Sequence, residues 1–280
     1  VFKDANPDCP EDARYKCIIV GKPHGLYVLK SADGIRFSVA TEKPVITDGA
    51  FDSQNLFFWD PLRNEYRAYW RIFTAGVADG TAWKPEGFRA IRTATSKDGL
   101  KWDGQADLRY VDSPTEHLYV NQIQPYYRAP HIFLGFPMRY TDRGWSDSMT
   151  ALPGLEERLA RSKASPRYGT AITDGLFMTS RDGVLFRRWN EAFLRPGPLR
   201  QGSWVYGDNM VFWGMVETAS ALGDAPNDLS IYASEHYWQA TSVSVRRLTV
   251  RIDGFVSLRA SARGGEMITK PLVFDGGNLT

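Results

Sequence analysis

The sequence predicts an all-β fold, a five-bladed β-propeller with one short helical insertion in the third blade, and three observations carry that expectation. First, the pattern Ser-x-Asp-Gly-x-x-aromatic stands at Ser31 to Phe37, Ser96 to Trp102 and Ser180 to Phe186, each time after an apolar run. An Asp-Gly pair between two such runs is a hairpin signal. Three copies imply a repeated unit, at roughly the 40–50-residue period of a four-stranded blade once insertions are allowed. Second, an aromatic residue followed by Asp or Asn recurs in Phe2-Lys3-Asp4-Ala5-Asn6, Phe51-Asp52-Ser53-Gln54, Tyr119-Val120-Asn121-Gln122 and Tyr206-Gly207-Asp208-Asn209. Third, Trp, Tyr and Phe make up 13% of the chain, which suits sheets and sugar-stacking surfaces alike. A β-sandwich is the competing architecture, and sandwiches do not generate one hairpin sequence repeatedly.

In chain order, Tyr15 to Val20, Gly25 to Leu29 and Ile35 to Ala40 read as one small antiparallel sheet around the first Asp-Gly hairpin. Asn55 to Trp59, a turn at Asp60 to Asn64, and Glu65 to Phe73 open the second unit; Ala75 to Gly87 reads as a loop, and Phe88 to Ser96 with Leu100 to Trp102 closes it. The third unit starts near Tyr119, turns at Arg128-Ala129-Pro130 and runs through His131 to Tyr140. A helix over Leu155 to Ala164, with Pro-Gly before it, Glu early and Arg and Lys late, interrupts that unit. Val205 to Val216 opens a fourth unit, with Leu229 to Trp238 as a degenerate copy of the hairpin. Val243 to Leu258 and Met267 to Phe274 supply strands for a fifth.

The 280 residues then form a single propeller domain over 1–280. Thirty-four basic and 32 acidic residues are well mixed for a net charge of +2, so the basic stripe that a nucleic acid requires is missing. No apolar run is long enough to cross a bilayer, so no membrane partner is expected. The chain opens at Val1 without an initiating Met or signal peptide, which leaves a mature exported chain, periplasmic or extracellular, as open as a cut fragment. Cys9 and Cys17 are close enough to pair in an exported protein and equally fit a reduced one. The four His residues lack paired metal spacing, and no nucleophile elbow, phosphate loop or dinucleotide fingerprint is present, so neither metal nor cofactor is expected.

The first strand of each propeller blade lines the central channel, so a recurring Asp or Asn there would bring polar side chains around one axial pocket. The same residues also cap turns at strand entries. Glycoside hydrolysis needs two carboxyl groups flanking a sugar ring, and the candidates are Asp4, Asp52, Asp208 and Glu217. Residues placed to bind the sugar are Glu116, His117, Asn121, Arg128, Trp204, Tyr206 and Trp213. Arg89, Arg92, Arg128 and Arg139 could clamp an acidic sugar, with ordinary ion pairing as the alternative.

The three hairpins are similar to the Asp-box hairpins of sialidase-type propellers. The blade count, the opening Phe2-Lys3-Asp4-Ala5-Asn6-Pro7 and Arg128-Ala129-Pro130 resemble the five-bladed clan of glycoside hydrolase families 32, 43, 68 and 117. The resemblance implies Asp4 as nucleophile or base. The Asp expected in the third-blade Arg-Asp-Pro motif is Ala129 here, so Asn121, Glu116 or Asp52 would have to take its place. For the acid it favours Glu217 over Asp208. Arg251 to Ser257 followed by Thr269 to Leu272 is also similar to bacterial members in which a small β-sandwich follows the propeller, and that sandwich would begin after 280. The expected function is a glycoside hydrolase acting on an oligo- or polysaccharide; a non-catalytic carbohydrate-binding propeller is the alternative.

Overall fold

The computed structural model describes residues 1–203, 206–237, 243–269 and 271. It is all-β, 42% strand and 7% helix, in five sheets of which none closes on itself. The first sheet is β1 (Phe2–Lys3), β2 (Tyr15–Gly21), β3 (Gly25–Ser31) and β4 (Ser38–Val39), and the second is β5 (Leu56–Asp60), β6 (Glu65–Ala78), β7 (Trp83–Ser96) and β8 (Asp103–Asp107), both antiparallel in chain order. There follow β9 (Arg109–Val111), β10 (His117–Leu118), β11 (Gln124–Tyr126), β12 (Ala129–Gly135) and β13 (Met138–Thr141). The helical insertion comes next, α1 (Asp147–Thr150) and α2 (Leu155–Ser162), and then β14 (Ile172–Gly175), β15 (Met178–Ser180) and β16 (Leu185–Arg188). The last sheet is β17 (Val216–Thr218), β18 (Asp228–Glu235) and β19 (Ser244–Arg251).

Alternation along each strand explains how the sheets stack. On β5 the side chains of Phe57 and Trp59 join Leu26 and Val28 of the first sheet in one core, while Phe58, pointing the other way, joins Phe133, Met178 and Phe186 of the third. Leu134 and Phe177 then pack with Leu229 and Ile231 of the fourth. Trp70, fully buried in the first of these cores, removes on the order of 200 Å² from water, an upper estimate of about 5 kcal/mol. Its indole N–H donates to the Asp48 carbonyl (2.8 Å).

The three Asp-Gly hairpins fold alike. The Asp carboxylate accepts the N–H groups two and three residues on, Ile35 and Arg36, Leu100 and Lys101, Val184 and Leu185, each at 2.8 Å. The Ser hydroxyl accepts the Gly N–H at 2.8–2.9 Å. Gly34, Gly99 and Gly183 take φ of 77°, 75° and 78°, the left-handed region that a Cβ disfavours.

Several expectations are corrected. Ala75 to Gly87 is no loop: β6 and β7 continue as a long hairpin, with Ala75 opposite Glu86 and Ala78 opposite Trp83. The segment at Ser234 to Trp238 is no copy of the Asp-Gly hairpin; the described part of it ends β18, the second strand of its sheet. The equivalent turn of the fourth sheet is Arg251-Ile252-Asp253-Gly254, directly after β19, with Gly254 N–H on the Arg251 carbonyl (2.9 Å). Residues Ser244–Arg251 therefore belong to the fourth sheet rather than a fifth unit; of Met267 to Phe274, residues 270 and 272–274 lie outside the described ones. The fifth sheet, β10-β13-β14, is an extension of the third. It is built where β12 and β15 run on, through Phe136-Pro137 and Leu176-Phe177, into β13 and β14. The insertion hangs from its far end, and the helix expected over Leu155 to Ala164 is α2. Cys9 and Cys17 are both free thiols.

Candidate functional site

In each sheet the first strand defines a starting end, ahead of it, and a turn end, where the chain turns into the second strand. The Asp-Gly hairpins and the turns at Asp60 to Asn64 and Tyr127-Arg128 lie at the turn end. The starting end carries Asp52 to Gln54, Tyr119, Tyr206 to Met210 and the insertion.

A cavity of about 310 Å³ opens at the starting end, lined by Asp52, Ser53, Gln54, Tyr119, Tyr206 and Tyr237 among others. Asp52 sits there because the chain crosses from the first sheet to β5 at this point. Asn55 pins the crossing by donating to the Phe51 and Ser53 carbonyls (3.0 and 2.9 Å). The Asp52 carboxylate is half-exposed and ion-paired with Arg71, whose side chain is buried. Gln54 accepts from Gln122 Nε2 (2.6 Å), tying the start of the second sheet to that of the third.

Arginines and aromatic rings interleave beside the cavity. The Arg71 guanidinium lies 5.1 Å from the Tyr119 ring centre, and Arg89 lies 5.2 Å from the same ring. Arg89 is 4.9 Å and Arg167 5.5 Å from Tyr140, and Arg167 is 4.7 Å from Tyr168, which stacks on Tyr206. Burial, then Tyr119, pushes the Tyr206 hydroxyl well above its ordinary pKa, so it stays a hydrogen-bond donor at neutral pH. His117 packs on Phe88 and Tyr140, and its Nδ1 accepts the Arg89 backbone N–H (3.1 Å). Burial, followed by the charges of Arg89 and Arg167, lowers its pKa and keeps the imidazole neutral.

The residues singled out from the sequence divide between the two ends. Asp52, Tyr206 and His117 come together at the starting end. Asp208, next in sequence to cavity-lining Gly207, is buried and accepts the Tyr237 N–H (2.7 Å). Asn121, also buried, spends its side-chain oxygen on the Ile123 N–H (3.1 Å), the turn-capping role. Trp204 lies outside the described residues. Trp213 is interior: it stacks on Phe58 and donates to the Ile123 carbonyl (3.0 Å). Glu116 bridges Arg139 (3.1 Å) and Arg188 (2.8 Å).

Asp4 and Glu217 do not join Asp52. Asp4 is buried at the turn end, ion-paired with Lys16 and accepting from the Tyr66 hydroxyl (2.6 Å); burial and then Asp4 push that hydroxyl up to about 12. Asp4 corresponds in place to Asp60: both stand at the end of a first strand, and both accept the N–H two residues on, Asn6 (2.9 Å) and Leu62 (3.1 Å). Glu217 is exposed, held by Asn227 (2.9 Å) and the Tyr127 hydroxyl (2.8 Å), which lower its pKa. Arg128 pairs with Asp253 at the same end (3.2 Å).

Arg71, Arg167, Tyr140 and Tyr168 were not singled out. One signal was available: Tyr69, Arg71 and Phe73 share a face of β6, so Arg71 stands in line with core residues.

No family model matches the chain, and no curated protein matches it. Among solved structures it is similar to an N-acetylgalactosamine deacetylase from F. plautii in complex with blood group B trisaccharide, with a TM-score of 0.43 and 12% identity over 74% of this chain and 45% of that one. It is also similar to BT0996 in a complex with RGII, with a TM-score of 0.45 and 12% identity over 84% of this chain and 59% of that one. The chain thus spans about half the length of these structures.

Proposed function

We propose that the four repeat-built sheets are consecutive blades of a β-propeller and that the cavity at their starting end recognises a carbohydrate. Serial face-to-face packing, with the second and third sheets each sharing one core with the sheet before and another with the sheet after, supports the propeller. The cavity lining carries the functional reading. A carboxylate (Asp52), an amide (Gln54), a hydroxyl (Ser53) and the phenols of Tyr119, Tyr206 and Tyr237 together offer the donors, acceptors and ring faces that a sugar's hydroxyls and C–H faces require. The volume lies at the small end of the roughly 300–1,000 Å³ of ligand pockets, which suits a chain end.

Screening the full chain against a glycan array tests this. Binding that is lost or weakened at least tenfold in Asp52→Ala supports the reading; binding indifferent to Asp52→Ala moves the site elsewhere and overturns it.

Glycoside hydrolysis is the second reading, favoured by a second carboxylate, buried Asp208, next in sequence to cavity-lining Gly207, while the Arg71-paired Asp52 lines the same cavity. One of the two would act as base or nucleophile and the other as acid. Reducing sugar released from a bound glycan, and abolished in both Asp52→Asn and Asp208→Asn, supports hydrolysis. Binding without release leaves recognition alone.

A further inference from the structure

We propose that Arg71, Arg89 and Arg167 form an anion site that takes the acidic group, a carboxylate or a sulfate ester, of the carbohydrate held in the adjoining cavity. The inference rests on the carbohydrate reading above and narrows it to acidic glycans.

Charge balance is the first argument. Several other guanidinium groups are matched by carboxylates: Arg92 lies between Asp48 and Asp107, Arg139 between Glu116 and Asp174, Arg128 on Asp253 and Arg63 on Asp60. Of the four arginines the sequence offered as clamps for an acidic sugar, only Arg89 has no carboxylate partner among the described residues. In the ladder of Arg71, Arg89 and Arg167, Asp52 is the single ion-pair partner among the described residues. Asp142, whose charge is felt at His117 and Tyr140, is exposed and accepts the Gly144 N–H (3.1 Å). Arginine–tyrosine stacking holds the cations in place without neutralising them. Burial and the neighbouring Arg167 and Arg71 lower the pKa of Arg89, as expected of cations crowded without counter-charge.

Unsatisfied donors are the second argument. Arg71 Nε, Arg89 Nε and Arg167 Nη1 are buried without a hydrogen-bond partner among the described residues. Buried polar groups are seldom left this way. Three of them on one stacked ladder make a ready set of donors for the planar or tetrahedral oxygens of an anion, which guanidinium forks bind in pairs.

Calorimetric titration of the full chain at low salt, with D-galactose, D-glucose, D-galacturonate, D-glucuronate, galactose 6-sulfate and sodium sulfate as probes, tests the assignment. An acidic sugar is expected to bind at least tenfold more tightly than its neutral parent; a preference for the uronates or for the sulfated sugar identifies the group. Arg89→Gln and Arg167→Gln should each remove most of that preference, and Arg92→Gln should leave it. Arg167 stands on the insertion, so its variant serves if Arg89→Gln fails to fold. Neutral and acidic sugars binding alike would overturn the anion site and leave the carbohydrate reading standing. Sulfate binding in an arginine-dependent way with no sugar bound would keep the anion site and remove its carbohydrate. Binding of none of the six would overturn both.

Discussion

Alanine in place of the hairpin glycine should affect the three Asp-Gly hairpins very differently. All three glycines sit at nearly the same positive φ, so each substitution meets a similar conformational penalty of about 1 kcal/mol. What differs is the space for a Cβ. At Gly99 it would meet Tyr66 at 3.6 Å, an ordinary contact, and at Gly34 it would meet Tyr15 at 3.3 Å. At Gly183 it would lie 2.7 Å from both the Tyr69 hydroxyl and Arg67 Nη1. Tyr69 is fully buried, and its hydroxyl donates to the Gly183 carbonyl (3.0 Å), so that Cβ has to displace a buried hydrogen bond between the second and third sheets. Losing the bond costs about 1–3 kcal/mol, and overpacking adds about 1–3. The expected destabilisation is about 1 kcal/mol for Gly99→Ala, about 1–2 for Gly34→Ala and about 3–7 for Gly183→Ala. Urea unfolding followed by tryptophan fluorescence measures the three, with the slope checked for constancy. Equal losses at all three positions would show that local strain alone matters and would refute the view that the Gly183 turn locks two sheets together. All three turns lie at the end away from the cavity, so ligand affinity of the folded variants should stay unchanged.

Three more outcomes are expected. Asp52→Asn leaves the buried Arg71 without its ion pair, which should lower stability by roughly 1–2 kcal/mol in thermal unfolding, the half-exposure of Asp52 keeping the loss below that of a fully buried pair. Backbone N–H donors hold Asp33 below its ordinary pKa, and at Asp98 and Asp182 they do so against opposing burial. The stability these groups contribute is therefore complete above an unfolded value of about 3.9 and lost as pH falls through the lower folded values; Asp98→Asn should flatten the acid limb of a melting-temperature profile. His117, disfavoured as a cation by burial and then by Arg89 and Arg167, should titrate by NMR below the usual 6.5, and Arg89→Gln should raise its midpoint.

What was legible in the sequence is what local chemistry fixes. Ser-x-Asp-Gly determines its own turn through bonds two and three residues away, so the third-to-fourth-strand hairpins stood out before any tertiary contact was known. Gly-Pro punctuation likewise marked the insertion. The long β6–β7 hairpin was missed because Gly76, Gly80, Pro85 and Gly87 mimic a loop, although cross-strand pairing overrides them. The fourth-sheet turn was missed because Arg251 replaces the serine that marks the other copies. The Arg–Tyr ladder was unreadable for a different reason: its arginines come from β6, β7 and the insertion, and only the folded sheets bring them to shared rings.

The pairing of Asp4 with Asp52 shows how a repeat can be read one strand-length out of register. Both are preceded closely by Phe and followed by a side-chain amide, so a search for aromatic-then-Asp aligns them. Their hydrogen bonds separate them. Asp4 turns the chain at the end of a first strand, as Asp60 does, and a lysine and a tyrosine hold it in place. Asp52 precedes its strand, keeps half its surface open to a cavity and meets a buried arginine. Asp4 at the turn end is satisfied within the fold, whereas Asp52 at the starting end keeps exposed carboxylate surface. Chemistry on this scaffold is therefore to be sought ahead of each first strand, where Asp52 and Asp208 stand, and in the arginines that the second and third strands and the insertion bring to the same end.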